Sequence, residues 1–152
     1  MIITTMCYLK RNHQTLLLHR IKKENDINEG KWIGVGGKME SGESVEECMR
    51  REIFEETGYK AHTLSLHGFV VFPGLYYGQD EGMFVYDCED FSGDMIECNE
   101  GILAWIDDDK INELKMWEGD YHFFDWLKDN HFHSAKIVYQ NDNVIEYKEE
   151  TY

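Results

Sequence analysis

Five glutamates fall between residues 46 and 56, in a segment whose apolar residues have helical spacing. Apolar side chains at positions 45, 48 and 49 follow the i, i+3, i+4 pattern of one helix face, which we expect to point inward. Continuing that stripe leads to Glu52 and Glu56, and Glu55 lies roughly 60° from Glu52, because successive helical residues are separated by roughly 100°. The spacing predicts three carboxylates on one patch of a short helix.

Carboxylates that face inward without partners would be costly, or would take up protons. A hard divalent cation with oxygen ligands removes that cost. The alternative is an ordinary solvated acidic face, and this interpretation suits Glu46 and Glu47, which point the other way. From spacing alone, both interpretations of Glu52, Glu55 and Glu56 stay open.

The helix that carries these acids has clear boundary signals. Ser44 followed by Glu47 predicts a capping box at its start, and Gly58 is well placed to end it. The stretch "WIGVGGK" precedes it, and its glycines allow tight backbone turns.

The remaining segments predict an α/β (α+β) domain in which helices cover both faces of a mixed sheet. "IITTMCYL" and "TLLLH" predict an opening hairpin. Further strands are expected at about 64–72, 82–88 and 101–106, helices near 107–114 and 119–129, and a closing pair of strands in "AKIVYQNDNVIEY". We expect a single domain over 1–152, without an internal boundary.

Composition limits the classes of partner. The net charge of -15 argues against nucleic acid or an anionic membrane, since both favour Lys and Arg. The net charge permits a phosphate substrate if divalent cations screen the negative charge of the protein from that of the phosphate. The four cysteines form no Cys-x-x-Cys pair and are expected to be buried and reduced. The first residues lack a basic n-region, and we expect a cytoplasmic protein.

One motif spans the acidic helix and the glycine-rich loop before it. The chain fills every fixed position of the pattern G-x5-E-x7-R-E-U-x-E-E-x-G-U, except that the final aliphatic position holds the aromatic Tyr59. The residues are Gly37, Glu43, Arg51, Glu52, Ile53, Glu55, Glu56, Gly58 and Tyr59. In this motif the chain resembles the Nudix hydrolases, which implies the Nudix fold.

The resemblance implies roles that spacing had left open. Glu52, Glu55 and Glu56 would bind Mg²⁺ (or Mn²⁺), together with the main-chain carbonyl of Gly36. Arg51 would orient a neighbouring glutamate, and Glu43 would support the site. The implied reaction is attack of water on a phosphorus of a nucleoside diphosphate linked to another group.

The flanking sequence is similar to MutT/MutX-type diphosphatases, which hydrolyse oxidised purine nucleoside triphosphates such as 8-oxo-dGTP. The similar stretches are "GKWIGVGGK", "CNEGILAWI" and "KMWEGDYHFFDWL". The match implies that Glu100 is an additional metal ligand or base, that Trp117 stacks on the purine and that Asp120 binds its edge. Lys38 and Ile33 fall at substrate-binding positions.

Two departures from mammalian members affect base selectivity. Ile33 replaces an asparagine that reads the base, and Gly119-Asp120 replaces two consecutive aspartates. Another nucleotide substrate, such as a dinucleoside polyphosphate or a nucleotide sugar, is therefore an alternative. A nucleotide-sensing module without hydrolysis is a further one, although such modules typically lose glutamates that are present here.

The residues outside the motif also have structural interpretations. Trp117 could be an aromatic core residue, Asp120 the N-cap of the following helix, and Glu100 a solvent-facing residue at a strand start. The expected partner is a small-molecule nucleotide, and the chain is expected to be a monomer or a homodimer.

Overall fold

A nine-stranded mixed sheet organises the chain, and the computed structural model describes residues 1–152. The strands are β1 Ile2–Arg11, β2 Gln14–His19, β3 Trp32–Ile33, β4 Val35–Lys38, β5 Lys60–Tyr76, β6 Gln79–Ser92, β7 Ile102–Asp107, β8 His133–Gln140 and β9 Asn143–Thr151. Their order is β3-β2-β1-β6-β5-β8-β9, with β4 paired to β1 and β7 paired to β2. Two pairs, β1 with β6 and β5 with β8, are parallel.

Two helices cover opposite faces of this sheet, as the sequence predicts. Helix α1 runs over Val45–Thr57 and α2 over Asp120–Trp126. Alternate residues of β1 point to opposite faces, as the strand period requires. Cys7 and Leu9 belong to the buried cluster that holds Met49 of α1, whereas Tyr8 belongs to the cluster that holds Phe123 of α2.

The predicted boundaries of α1 are confirmed. The Ser44 side chain accepts a hydrogen bond from the Glu47 amide at 3.1 Å, and the Glu47 carboxylate accepts one from the Ser44 amide at 3.2 Å. Gly58 ends the helix with φ 80°, a left-handed conformation that glycine adopts without strain. Cys48 and Met49 are fully buried, so the apolar stripe does face inward.

The strands are longer than their sequence patterns indicate. The predicted segments at 64–72 and 82–88 lie within β5 and β6, which form one long hairpin joined at Tyr77 and Gly78. Register shifts interrupt this pairing between Ala61 and Gly68. Such bulges break the alternation of polar and apolar residues from which strand ends are judged.

The segments that follow β7 also differ from expectation. The predicted helix near 107–114 is a 3₁₀ helix over Asp108–Glu113, and α2 ends at Trp126 rather than near 129. The Asp108 carboxylate accepts hydrogen bonds from Thr15 at 2.7 Å and Lys10 at 3.2 Å, which fixes the start of this short turn to the β1–β2 hairpin. All four cysteines are buried and free. No helix has the length and apolar character needed to cross a membrane.

Candidate active site

Strand β4, which precedes α1, lies very close both to β1 and to the helix. Strand β4 pairs with β1, and a Cβ atom added to Gly36 would lie 1.9 Å from the Thr5 carbonyl oxygen. A Cβ at Gly37 would lie 2.6 Å from the Glu52 carboxyl carbon. Only glycine permits this approach, which lets the Gly36 amide donate to the Glu56 carboxylate at 2.7 Å.

Arg51 binds three of the glutamates of the motif. Its guanidinium donates to Glu52 at 2.9 Å and to Glu55 at 3.2 Å, and it pairs with both carboxylate oxygens of Glu43. The hydrogen bonds that Glu43 accepts from Arg51 and from the Glu40 amide lower its pKa to about 2. Arg51 therefore fixes the orientation of carboxylates on both sides of it, as a planar fork of donors can.

Glu56 is a buried carboxylate in an unfavourable electrostatic environment. Burial raises its pKa well above the usual range, and the nearby charges of Glu52 and Glu100 raise it further. Burial likewise raises the pKa of Glu52, although hydrogen bonding to Arg51 lowers it. For Glu52, burial therefore outweighs the positive charge of the neighbouring Arg51.

The donor set suits a hard divalent cation, because it consists of carboxylate oxygens and adjacent main-chain oxygen. With the side chains as they stand, no three acidic groups are arranged to enclose an ion. Glu52 and Glu55 point to Arg51, so binding an ion requires their carboxylates to turn or to share that partner.

Glu100 comes to the same site from the segment before β7. It contacts Arg20 at 3.4 Å, and Arg20 in turn contacts Asp26 at 2.7 Å. Its side chain is 36% exposed, so it is neither free in solvent nor buried. Arg20 and Asp26 were not predicted as site residues, and nothing in their local sequence signals this contact.

Trp117 is held on several sides. Its indole Nε1 donates to Asn28 at 2.7 Å, Lys31 Nζ lies 4.3 Å from the ring centroid, and the Tyr139 ring packs edge-on at 4.9 Å. Trp117 is buried and also lines the cleft described below, so the core and cleft interpretations both describe it. Sequence reasoning missed these three partners.

Asp120 does not cap α2, contrary to the structural interpretation of the sequence. Gly119 occupies the N-cap position, and Asp120 is the first helical residue, with only 5% of its surface exposed. Burial and the charge of Glu81 raise its pKa to about 8, although Lys31 acts in the opposite direction. Asp120 shares a helix face with the buried Phe123 three residues later, so its carboxyl also points inward.

Comparison with known proteins identifies the family. The NUDIX domain model matches residues 2–127. The chain is a Nudix hydrolase.

Individual relatives and solved structures agree with this Nudix assignment. The chain is 35% identical over 127 residues to an uncharacterized Nudix hydrolase of Bacillus subtilis, covering 81% of this chain and 77% of that protein. It is 31% identical over 125 residues to the oxidized purine nucleoside triphosphate hydrolase of Danio rerio, covering 81% and 79%. The crystal structure of a MutT protein from Bacillus halodurans superposes with a TM-score of 0.86 at 28% identity, covering 99% and 98%.

One cleft of about 440 Å³ is lined both by glutamates of the Nudix motif and by Trp117 and Asp120. Nine of the candidate residues line it: Ile33, Gly36, Lys38, Glu52, Glu55, Glu56, Glu100, Trp117 and Asp120. Glu43 and Arg51 do not line the cleft and lie behind the carboxylates that they orient. Tyr76 and Tyr77, at the tip of the β5–β6 hairpin, border it as well. We call the part of the cleft lined by Glu52, Glu55, Glu56 and Glu100 the acidic end, and the part lined by Trp117 and Tyr139 the aromatic end.

Proposed function

We propose that this Nudix hydrolase converts an oxidised purine deoxynucleoside triphosphate, such as 8-oxo-dGTP, to the monophosphate and pyrophosphate. The observation that carries the proposal is one cleft that is lined both by Glu52 and Glu56 and by Trp117 and Asp120. Similarity to the zebrafish oxidized purine nucleoside triphosphate hydrolase supports the same substrate. The cellular role would be removal of damaged nucleotides from the cytoplasmic pool, which protects DNA.

The acidic end would hold Mg²⁺ or Mn²⁺. Glu52, Glu55, Glu56 and Glu100, with the Gly36 main-chain carbonyl, are the proposed ligands. A bound divalent ion offsets phosphate charge and lowers the pKa of a coordinated water. Its positive charge would also offset the cost that burial and the charges of Glu52 and Glu100 impose on the ionised Glu56 carboxylate.

The chain's own groups would orient and deprotonate the attacking water. Water forms a bond to phosphorus as the anhydride bond between the α- and β-phosphates breaks, and a carboxylate accepts the water's proton. Glu55, Glu56 and Glu100 line the cleft and can take this role, whereas Glu43 is bound to Arg51 outside it. Arg51 would act as a positioning residue, because it fixes the carboxylates and does not line the cleft.

The aromatic end would bind the base. The indole of Trp117 has one face toward Lys31, so a purine would stack on the side that lines the cleft. The pKa of Asp120, raised to about 8, means that its carboxyl is largely protonated at neutral pH, so it can donate a hydrogen bond as well as accept one.

Steady-state hydrolysis tests the proposal. With Mg²⁺ present, we expect pyrophosphate release from 8-oxo-dGTP with a kcat/KM at least about 10-fold above that for dGTP, a difference equal to roughly 1.4 kcal/mol. Turnover of dGTP that equals or exceeds that of 8-oxo-dGTP would refute the oxidised-base part.

Ile33 favours a second candidate substrate. This residue lines the cleft where its side chain can neither donate nor accept a hydrogen bond, which weakens selection of an oxidised base. A dinucleoside polyphosphate or a nucleotide sugar is then the alternative. A panel of these compounds, assayed for release of their monophosphate products, separates the two candidates by kcat/KM.

A further inference from the structure

A second carboxylate, that of Glu81, lines the same cleft as Asp120. Glu81, near the start of β6, lines the same cavity and is only partly exposed. The Thr4 hydroxyl donates to one of its carboxylate oxygens at 2.5 Å, and no protein donor reaches the other oxygen. The Asp120 side chain accepts no hydrogen bond from the protein, although 95% of its surface is buried.

The Glu81 oxygen that has no protein donor, and the carbonyl oxygen of the Asp120 carboxyl, offer hydrogen-bond acceptors to a ligand. Burial raises the pKa of Glu81 above its usual range, and the negative charge of Glu81 contributes to the raised pKa of Asp120. The neighbouring cleft side chains Ile33, Phe72 and Met83 are apolar. Buried polar groups without partners are costly, so a ligand that supplies N–H donors here gains more than one that supplies acceptors.

We propose that Glu81 is a specificity-determining residue that, with Asp120, accepts hydrogen bonds from adjacent N–H groups of a guanine-type base edge. A guanine edge presents N1–H and N2–H₂ side by side. An adenine edge alternates an acceptor with its amino group, and thymine has one N–H between two carbonyls. Two carboxyls that line one cleft therefore match guanine and its 8-oxo form. This inference rests on the proposed function and names the class of base.

The test measures base binding apart from hydrolysis. The nucleoside monophosphates 8-oxo-dGMP, dGMP, dAMP and dTMP are titrated without metal, and binding is followed by calorimetry. The test variant is Glu81→Gln. The glutamine oxygen can still accept from Thr4, which turns the amide NH₂ toward the cleft and replaces an acceptor with a donor. Glu89→Gln is the matched control, since Glu89 is exposed on the same strand and does not line the cleft.

We expect E81Q to weaken binding of 8-oxo-dGMP and dGMP about 10-fold or more, the usual effect of losing a hydrogen bond to a charged group. Binding of dAMP should change less than about 3-fold, and E89Q should match the wild type. Equal loss for all four nucleotides, no loss, or a wild type that binds dAMP as tightly as dGMP would overturn the inference.

A second variant distinguishes a local change at Glu81 from a general loss of folded protein. Thr4→Val removes the hydroxyl that anchors Glu81 and keeps the side-chain shape, so a smaller loss, about 3-fold, is expected for the guanine nucleotides alone. Uniform loss for all four nucleotides would count against the inference. If the wild type binds guanine nucleotides selectively but does not hydrolyse 8-oxo-dGTP, the proposed function fails and this inference stands.

Discussion

Gly37→Ala tests whether the position of the Glu52 carboxylate determines activity. The new methyl carbon would lie 2.6 Å from the Glu52 carboxyl carbon and 2.8 Å from its more distant oxygen. Ordinary contact begins at 3.4 Å, so the carboxylate must retreat by about 0.8 Å. A displacement of about 1 Å in a reacting constellation costs roughly 100-fold, or about 2.7 kcal/mol of transition-state stabilisation.

The assay is kcat/KM for the best nucleotide substrate over a Mg²⁺ titration, accompanied by urea unfolding. Because the obstructing atoms belong to the end of a flexible side chain, the free energy of unfolding should change by less than about 1 kcal/mol. Gly36→Ala provides a contrast, since its methyl group would strike the Thr5 backbone, and a loss of about 2–3 kcal/mol in stability is expected.

Gly42→Ala, in the segment between β4 and α1, is the control for a nearby glycine substitution. Its φ is 86° and no atom lies within 4 Å of the added Cβ, so only backbone strain of about 1–2 kcal/mol applies and activity should persist. If Gly37→Ala keeps the wild-type kcat/KM and Mg²⁺ dependence, the inference that Glu52 must stay against this loop is wrong.

Three further predictions concern other parts of the chain. Glu56→Gln should reduce kcat at least about 100-fold and leave the melting temperature equal or higher, because it removes a charge that Glu52 and Glu100 repel; wild-type turnover would contradict the metal assignment. Asn28→Leu should raise KM about 5-fold with kcat unchanged, because Trp117 loses one hydrogen bond; a fall in kcat at constant KM would contradict this. Burial acts to raise the pKa of Glu149, but hydrogen bonds from Tyr147, Trp126, His133 and Thr151 lower it to about 2. Its folded-state pKa is thus depressed, so its stabilising contribution should be complete above the unfolded-state value of about 4.3 and be lost as the pH falls toward 2. Urea unfolding against pH should show this slope in the wild type and a shallower one in Glu149→Gln, and identical slopes would refute it.

The sequence predicted the acidic helix well because its signals are local. The caps at Ser44 and Gly58 and the buried stripe lie within one continuous segment, so spacing alone defines their geometry. The placement of Glu52 and Glu56 toward a cleft followed from the same periodicity.

Contacts between distant segments could not be predicted in this way. Thr4 and Glu81 are 77 positions apart and meet because β1 pairs with β6. Asn28 and Trp117 are 89 positions apart and both lie in connecting segments outside the strands. Asp120 illustrates a different limit. An aspartate at a helix start suggests capping, yet Gly119 takes that position and α2 turns the carboxyl into the protein.

The two buried clusters on opposite faces of the sheet have a consequence for how this enzyme could change. Met49 and Ile53 anchor helix α1 in one cluster, whereas Phe72 and Met83, which line the cleft, belong to the other. Substitutions at Phe72 and Met83 therefore repack the α2 layer, whereas Ile33 packs against the α1 cluster. In laboratory evolution of a new substrate preference, many substitutions in the cluster that holds Phe123 of α2 should be tolerated before kcat declines.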